Sequence, residues 1–219
     1  MVDAHFHLWR RADVKQAGVL AAPYLQRNVL WRDFVAAWQG QPIEQVIAVQ
    51  VNDFVDGAAE ARYLAREADP ERLGALVAWA QLESPDVGAE LQRLQGIPGV
   101  RGVRRTCQIE VDPAFCARPG YVHGVRLLGE LGLVCDVCVR LEQVVAVSRL
   151  ARACPETTVV LEHIGKPDLS QAPAGLLAAG DRGPGQRAQH RSQAFRHGAR
   201  ARRPTPDSRC GGPVRAASG

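Results

Sequence analysis

What these 219 residues lack narrows their reading first. No uninterrupted apolar stretch approaches the ~18 residues of a membrane span, so no membrane partner is expected. The N-terminus, Met1-Val2-Asp3-Ala4-His5, has neither the basic start nor the apolar core of an export leader, and the expected location is the cytoplasm. Without a leader, the six cysteines (Cys107, Cys116, Cys135, Cys138, Cys154 and Cys210) are expected as free thiols rather than a disulfide framework. A G-x-G-x-x-G turn is also missing after the first apolar segment, where Leu8-Trp9-Arg10-Arg11 stands instead. That disfavours a dinucleotide-binding open sheet.

Charge is unevenly spread. Nine of the 27 basic residues but only two of the 23 acidic ones fall in 176–219, so the first 175 residues are mildly acidic. A nucleic-acid reading would rest on the tail alone. That tail has no Lys, one aromatic and no repeated RGG or RS unit, so no nucleic-acid partner is expected. From Gly180 onward, Gly, Pro, Arg, Ala, Ser and Gln dominate, with Phe195 and Val214 almost alone as large apolar residues. Such a composition cannot bury enough surface to offset its ordering entropy, and 176–219 is expected to be disordered.

The first 175 residues alternate short apolar strands with helical segments, which implies parallel strands joined by right-handed crossovers. Strands are predicted at Val2–Leu8, Gln45–Val51, Gly74–Gln81, Val100–Thr106, Leu133–Val139 and Thr158–His163. Helices are predicted at Gly57–Ala68, Val87–Gln95, Val122–Leu131 and Glu142–Ala153, the last burying Val144, Val145, Val147, Ser148 and Ala151 beneath Leu150 and Leu141. Continuously apolar strands such as Val46-Ile47-Ala48-Val49 suit a sheet covered on both faces. The expected fold class is α/β, an incomplete (β/α)₈ TIM barrel with about six of eight strands. The chain is short for a full barrel, which usually needs ~250 residues.

His5-Phe6-His7 carries the first chemistry. Residues i and i+2 of a strand share a face, so both imidazoles converge on one point, as in metal or proton-transfer sites. The bland alternative is two ordinary histidines. Cys135-Asp136-Val137-Cys138 matches C-x-x-C, but that spacing on a strand sends the thiols to opposite faces, so core packing is the expected role.

Several motifs in order resemble one family. Asp3-Ala4-His5-Phe6-His7-Leu8-Trp9 resembles the D-x-H-x-H-L-W opening of lactonase-type members of the amidohydrolase-related family. Gly99-Val100-Arg101-Gly102-Val103-Arg104-Arg105 is similar to its fourth strand, G-x-R-G-x-R-x, and Leu161-Glu162-His163-Ile164-Gly165-Lys166-Pro167 to its sixth, L-D-H-x-G-K-P, with Glu162 where Asp is usual. The likeness covers residues 1 to about 170.

The resemblance implies a hydrolase opening a small sugar-acid or dicarboxylate lactone, with a decarboxylase of the same superfamily and a non-catalytic basic-tailed binding protein as alternatives. It implies catalytic roles for His5, His7 and His163, and substrate binding by Arg104, whose forked donors suit a carboxylate. The alternatives are a capping or core histidine at 163 and a surface ion pair at 104. The implied cofactor is none or one divalent metal ion, zinc being the candidate, held by His5 and His7. Lys166 is read as structural. The implied partner is a small-molecule lactone or carboxylate.

The family's general base is an aspartate in a G-S-D-W-P segment ending its eighth strand. No such segment occurs in this sequence, and Asp181 and Asp207 lie in no strand-like context. Codons exist for Gln193–His197 that, read one base later, give K-L-S-G-M, and for Pro213–Ser218 that give R-F-G-P-P-R. These match the family's K-L-S-G at the end of strand seven and F-G-P-x-R before strand eight. The expectation is therefore a frame shifted after about residue 175, a chain without strands seven and eight, and no activity.

Overall fold

The computed structural model describes residues 1–13, 23–51 and 57–168. The expectations for 176–219 lie outside these residues.

Six parallel strands form one sheet in sequential order: β1 (Val2–Phe6), β2 (Gln45–Val49), β3 (Leu73–Trp79), β4 (Val100–Thr106), β5 (Val134–Cys138) and β6 (Val159–Leu161). Helices α1 (Trp31–Ala37), α2 (Gly57–Glu67), α3 (Val87–Gln95), α4 (Pro119–Glu130) and α5 (Val144–Ala153) follow the first five strands. This alternation is the (β/α)₈ pattern carried through six strands. The sheet also curls. Flat, β1 and β6 would stand roughly 24 Å apart at strand spacing. Instead, His5 Nδ1 at the end of β1 lies 3.4 Å from Glu162 Oε1 just past β6. The chain is thus a partial barrel whose two outer strands approach across its mouth.

The core lies between the sheet's outer face and the helices. Phe6 turns outward and stacks on Phe34 of α1 (ring centroids 4.2 Å), while Leu64, Leu76, Leu91, Leu128, Val137 and Leu150 are fully buried. Pro119 opens α4, where its missing N–H leaves no intrahelical bond unmade. Gly124 lets that helix lie against the segment that follows β3, because a Cβ there would collide with the Leu82 carbonyl oxygen.

Helix α1 was not predicted. Its apolar stripe, Trp31, Phe34 and Trp38, is short and aromatic, and Leu30 stands where a Ser, Thr, Asp or Asn cap would mark a start. Asp33 takes over the capping by accepting the Leu30 N–H at 2.9 Å. The last helix differs as well. Val145 and Leu141 are 63% and 55% exposed, and the buried stripe is Ala146, Val147 and Leu150, continued by Cys154. At 100° per residue, 147, 150 and 154 share a face, whereas 145 points away from it.

Candidate active site

Alternation along each strand sends every second residue into the barrel, and at the C-terminal ends these residues are polar. His5 and His7 come from β1 and the residue after its end, Arg104 from β4, Asp136 and Cys138 from β5, and Glu162 and His163 from the turn after β6. The four predicted site residues thus gather at one end of the sheet. His163 lies beside His5, with ring centroids 4.9 Å apart.

The histidine pair has a defined polarity. His7 Nδ1 lies 2.6 Å from the Val49 carbonyl oxygen, which can only accept, so Nδ1 carries the proton and Nε2 keeps its lone pair. His5 Nδ1 faces Glu162 Oε1 at 3.4 Å, an arrangement with the same sense. The two Nε2 atoms are 3.1 Å apart. Burial, aided by the Arg104 charge, holds the His7 imidazole neutral, with its pKa down to about 4. Burial likewise lowers that of His5 against the opposing pull of Glu162.

Two neutral imidazoles with converging Nε2 atoms need a cation or a shared proton between them. A tetrahedral zinc sets its nitrogen ligands roughly 3.4 Å apart, so the pair fits a divalent metal. The acceptors on the two Nδ1 atoms are the outer partners that metal-bound histidines commonly have.

Glu162 is the hub. Arg104 Nη1 donates to its two oxygens at 3.2 and 3.4 Å, and Nη2 donates to the Gln50 carbonyl. Gln50 is itself fixed, its amide donating to the Gly57 carbonyl at 2.8 Å and accepting the Trp79 N–H at 2.6 Å. Arg104 is only 6% exposed, so a surface ion pair does not describe it. Its Nε remains a buried donor without a partner, as does Asp136 Oδ1 among acceptors.

Arg104 and Asp136 are register partners on adjacent strands. Burial, then the Glu162 charge, pushes the Asp136 carboxyl well above the usual carboxylate range. Burial acts the same way on Glu162, but Arg104 and the other neighbours outweigh it and hold that carboxyl low. Of the two acids, Glu162 carries the charge and Asp136 the proton.

The thiols divide as their spacing predicts. Cys135 is buried on the outward face near Cys107 and Tyr121, while Cys138 faces the site and receives a Lys166 Nζ contact at 3.4 Å. Core packing therefore describes Cys135 but leaves out the polar company of Cys138. Lys166 also donates to the Gln108 side chain. Asp136, Gln50 and Cys138 were not anticipated in the site. The available signal was Asp136 itself, a lone acid inside the apolar run Leu133–Val139.

Known proteins resemble this chain in sequence and fold. The amidohydrolase family model matches residues 2–203, which carries the likeness past Pro167. An L-fucono-1,5-lactonase of Burkholderia multivorans is 30% identical over 173 residues, covering 78% of this chain and 57% of that enzyme. One from Burkholderia ambifaria is 27% identical over 176 residues, covering 77% and 58%. A crystal structure of a Burkholderia multivorans amidohydrolase with bound zinc superposes with a TM-score of 0.65 at 29% identity, covering 78% of this chain and 60% of that one. The chain spans about six-tenths of the length of the curated relatives it matches.

Proposed function

Since the chain belongs to the amidohydrolase family, we propose that its strand-end cluster is the carbonyl-activating part of a lactonase site for a small sugar-acid or dicarboxylate lactone. The observation that carries this reading is the His5–His7 pair with convergent, unprotonated Nε2 atoms. Those two nitrogens would hold a divalent metal. That ion would supply Lewis-acid stabilisation of the oxygen on which charge develops. His163 closes the site from the β6 side. Arg104, pinned by Glu162 and Gln50, keeps a positive charge beneath it and positions Glu162 against His5. The relatives named L-fucono-1,5-lactonase favour a sugar lactone.

Hydrolysis also needs an acceptor for the proton of the attacking water. Among the described residues, Glu162 is committed to Arg104 and Asp136 holds its own proton, so neither is placed for that task. We therefore propose that the 219-residue chain does not turn over lactones. In this reading, restoring the frame downstream of Pro167 supplies the aspartate. The test is hydrolysis of a panel of aldonolactones and pyrone dicarboxylates by both forms, with and without added divalent metal. Turnover by the restored form alone is expected. Equal turnover by the 219-residue chain contradicts the assignment of the missing base, and no turnover by either contradicts the lactonase reading.

A further inference from the structure

The periodicity that predicts Val145 buried beneath Leu141 is not obeyed, and these two outward apolar side chains do not stand alone. Val111, Ile109 and Ile164, on the segments that follow β4 and β6, are 99%, 71% and 71% exposed. We propose that these five side chains form the centre of an interface with a second copy of this chain, the two copies related by a two-fold axis beside Leu141.

Hydrogen bonds gather the five at the C-terminal ends of β4, β5 and β6. The buried Gln143 amide donates to the Cys107 and Glu110 carbonyls at 2.9 and 3.4 Å, and Arg140 Nε donates to the Gln108 carbonyl at 3.0 Å. The turn carrying Ile109 is thereby tied to the turn carrying Leu141. That second turn, Leu141–Gln143, runs straight into α5, so Leu141 and Val145, four residues apart, share a face. On the β6 side, Gly165 approaches Val144 so closely that a Cβ there would strike its Cγ2, which brings Ile164 to the start of the same helix.

The patch has the size of an interface centre. Its five side chains expose on the order of 500 Å² of apolar surface, large for a monomer and more than half of the ~800 Å² each partner buries in a standard interface. Ile164 adds a second anomaly, since its φ of 58° is one that a β-branched residue seldom takes. Burial within its own chain does nothing to offset that strain.

Charge decides what covers it. Arg140 and Glu142 flank Leu141, both exposed, and among the described residues neither has an ion-pair partner. A rim of one sign would call for a partner of the opposite sign, whereas one base and one acid about a shared centre fit a second copy of themselves. On a two-fold axis beside Leu141, each Arg140 meets Glu142 of the partner subunit, and the pair is made twice. Arg140 uses only Nε within its own chain, which leaves its terminal nitrogens for that carboxylate. An apolar centre with a charged rim is the ordinary anatomy of such contacts.

The inference does not rest on the hydrolytic reading, because no lactone enters its test. The full chain is sedimented over a wide range of concentration, beside Val145→Glu, Arg140→Glu and Glu142→Arg. The parent should pass from monomer to dimer and stop there, because an isologous contact uses up its own surface. Val145→Glu should remain monomeric, with a far-ultraviolet circular dichroism spectrum and an unfolding midpoint in dilute solution like those of the parent, since an acid suits the first turn of α5. Each charge reversal alone sets like charges together twice and should weaken association about a hundredfold. An equimolar mixture of Arg140→Glu and Glu142→Arg should dimerise as the parent does, since every facing pair is then opposite in sign. A parent that stays monomeric, or one that grows beyond the dimer, overturns the interface. Undiminished dimerisation of Val145→Glu overturns its location, and a mixture no more associated than its components overturns the two-fold pairing of Arg140 with Glu142.

Discussion

On the outward face of β4 and β5 stand Val103, Cys135 and Val137, all fully buried against helices. One residue along each strand, on the inward face, stand Arg104 and Asp136, 6% and 7% exposed. These five positions are nearly equally dry, yet the first three are held by apolar contact and the last two by charges that satisfy one another incompletely; farther along β4 the outward Arg105 pairs with Glu83 and Glu110. Burial alone therefore does not mark the core. An apolar outward side chain such as Val103 or Val137 is replaceable by another of its shape, whereas Arg104 and Asp136 lie against groups whose protonation depends on them.

The largest effect should come from breaking the inward face on one side only. Arg104→Met leaves Glu162 buried without its cation and should destabilise the fold by about 3–5 kcal/mol at neutral pH. Glu162 has a lowered pKa because Arg104 and its other neighbours favour its charged form, so this loss should fade as acid protonates it. Adding Glu162→Gln should recover most of the stability. Denaturant titrations of the single and double variants check both statements, and an additive double loss would show that the pair is not coupled.

In the core packed against the outward face, Leu150→Ala on α5 should cost about 2–4 kcal/mol through lost contact and a residual cavity. Nothing titratable is involved, so the cost should be the same at pH 5 and pH 8. A strong pH dependence in the same titrations would erase the distinction between the faces.

Smaller effects sharpen the inward face. Asp136 holds a proton that the unfolded chain has released, so it contributes stability that is lost as pH rises from the ordinary carboxylate range through its raised pKa. His7, down to about 4, works in the opposite sense, and its neutral burial costs stability as pH falls from about 6.5 towards 4. The two slopes offset each other in mild acid, and above pH 6.5 the Asp136 decline remains. Asp136→Asn mimics the protonated acid, so it should raise stability at pH 8 by about 1–2 kcal/mol and flatten the decline. Thermal melts across pH give the answer. Smallest of all, Val145→Thr on the exposed side of α5 should change stability by less than about 0.5 kcal/mol.

These differences explain what the sequence made legible. Val100–Thr106 and Val87–Gln95 were predicted to the residue, because their periodicity and flanking glycines state both type and length. His5 and His7 were legible because two-residue spacing on a strand fixes a shared face. The network around Glu162 was not. It depends on the curl that brings β6 to β1 and on cross-strand register, which are properties of the closed sheet rather than of any local window. Asp136 could be seen as an anomaly in an apolar strand, but its partners lie 32 and 26 residues away in sequence, at Arg104 and Glu162. Helix α1 was hidden by an aspartate capping from inside the helix.

The chemistry assigned to the inward face rests on His5 and His7 offering bare Nε2 atoms to the same point. Imidazole nitrogen chemical shifts at neutral pH, recorded before and after adding Zn²⁺, test this most directly. The account predicts that His7 is neutral, protonated at Nδ1 and bare at Nε2, and that zinc moves the Nε2 resonances of both histidines together. A proton found on His7 Nε2, or Nε2 resonances that ignore the metal, would contradict it.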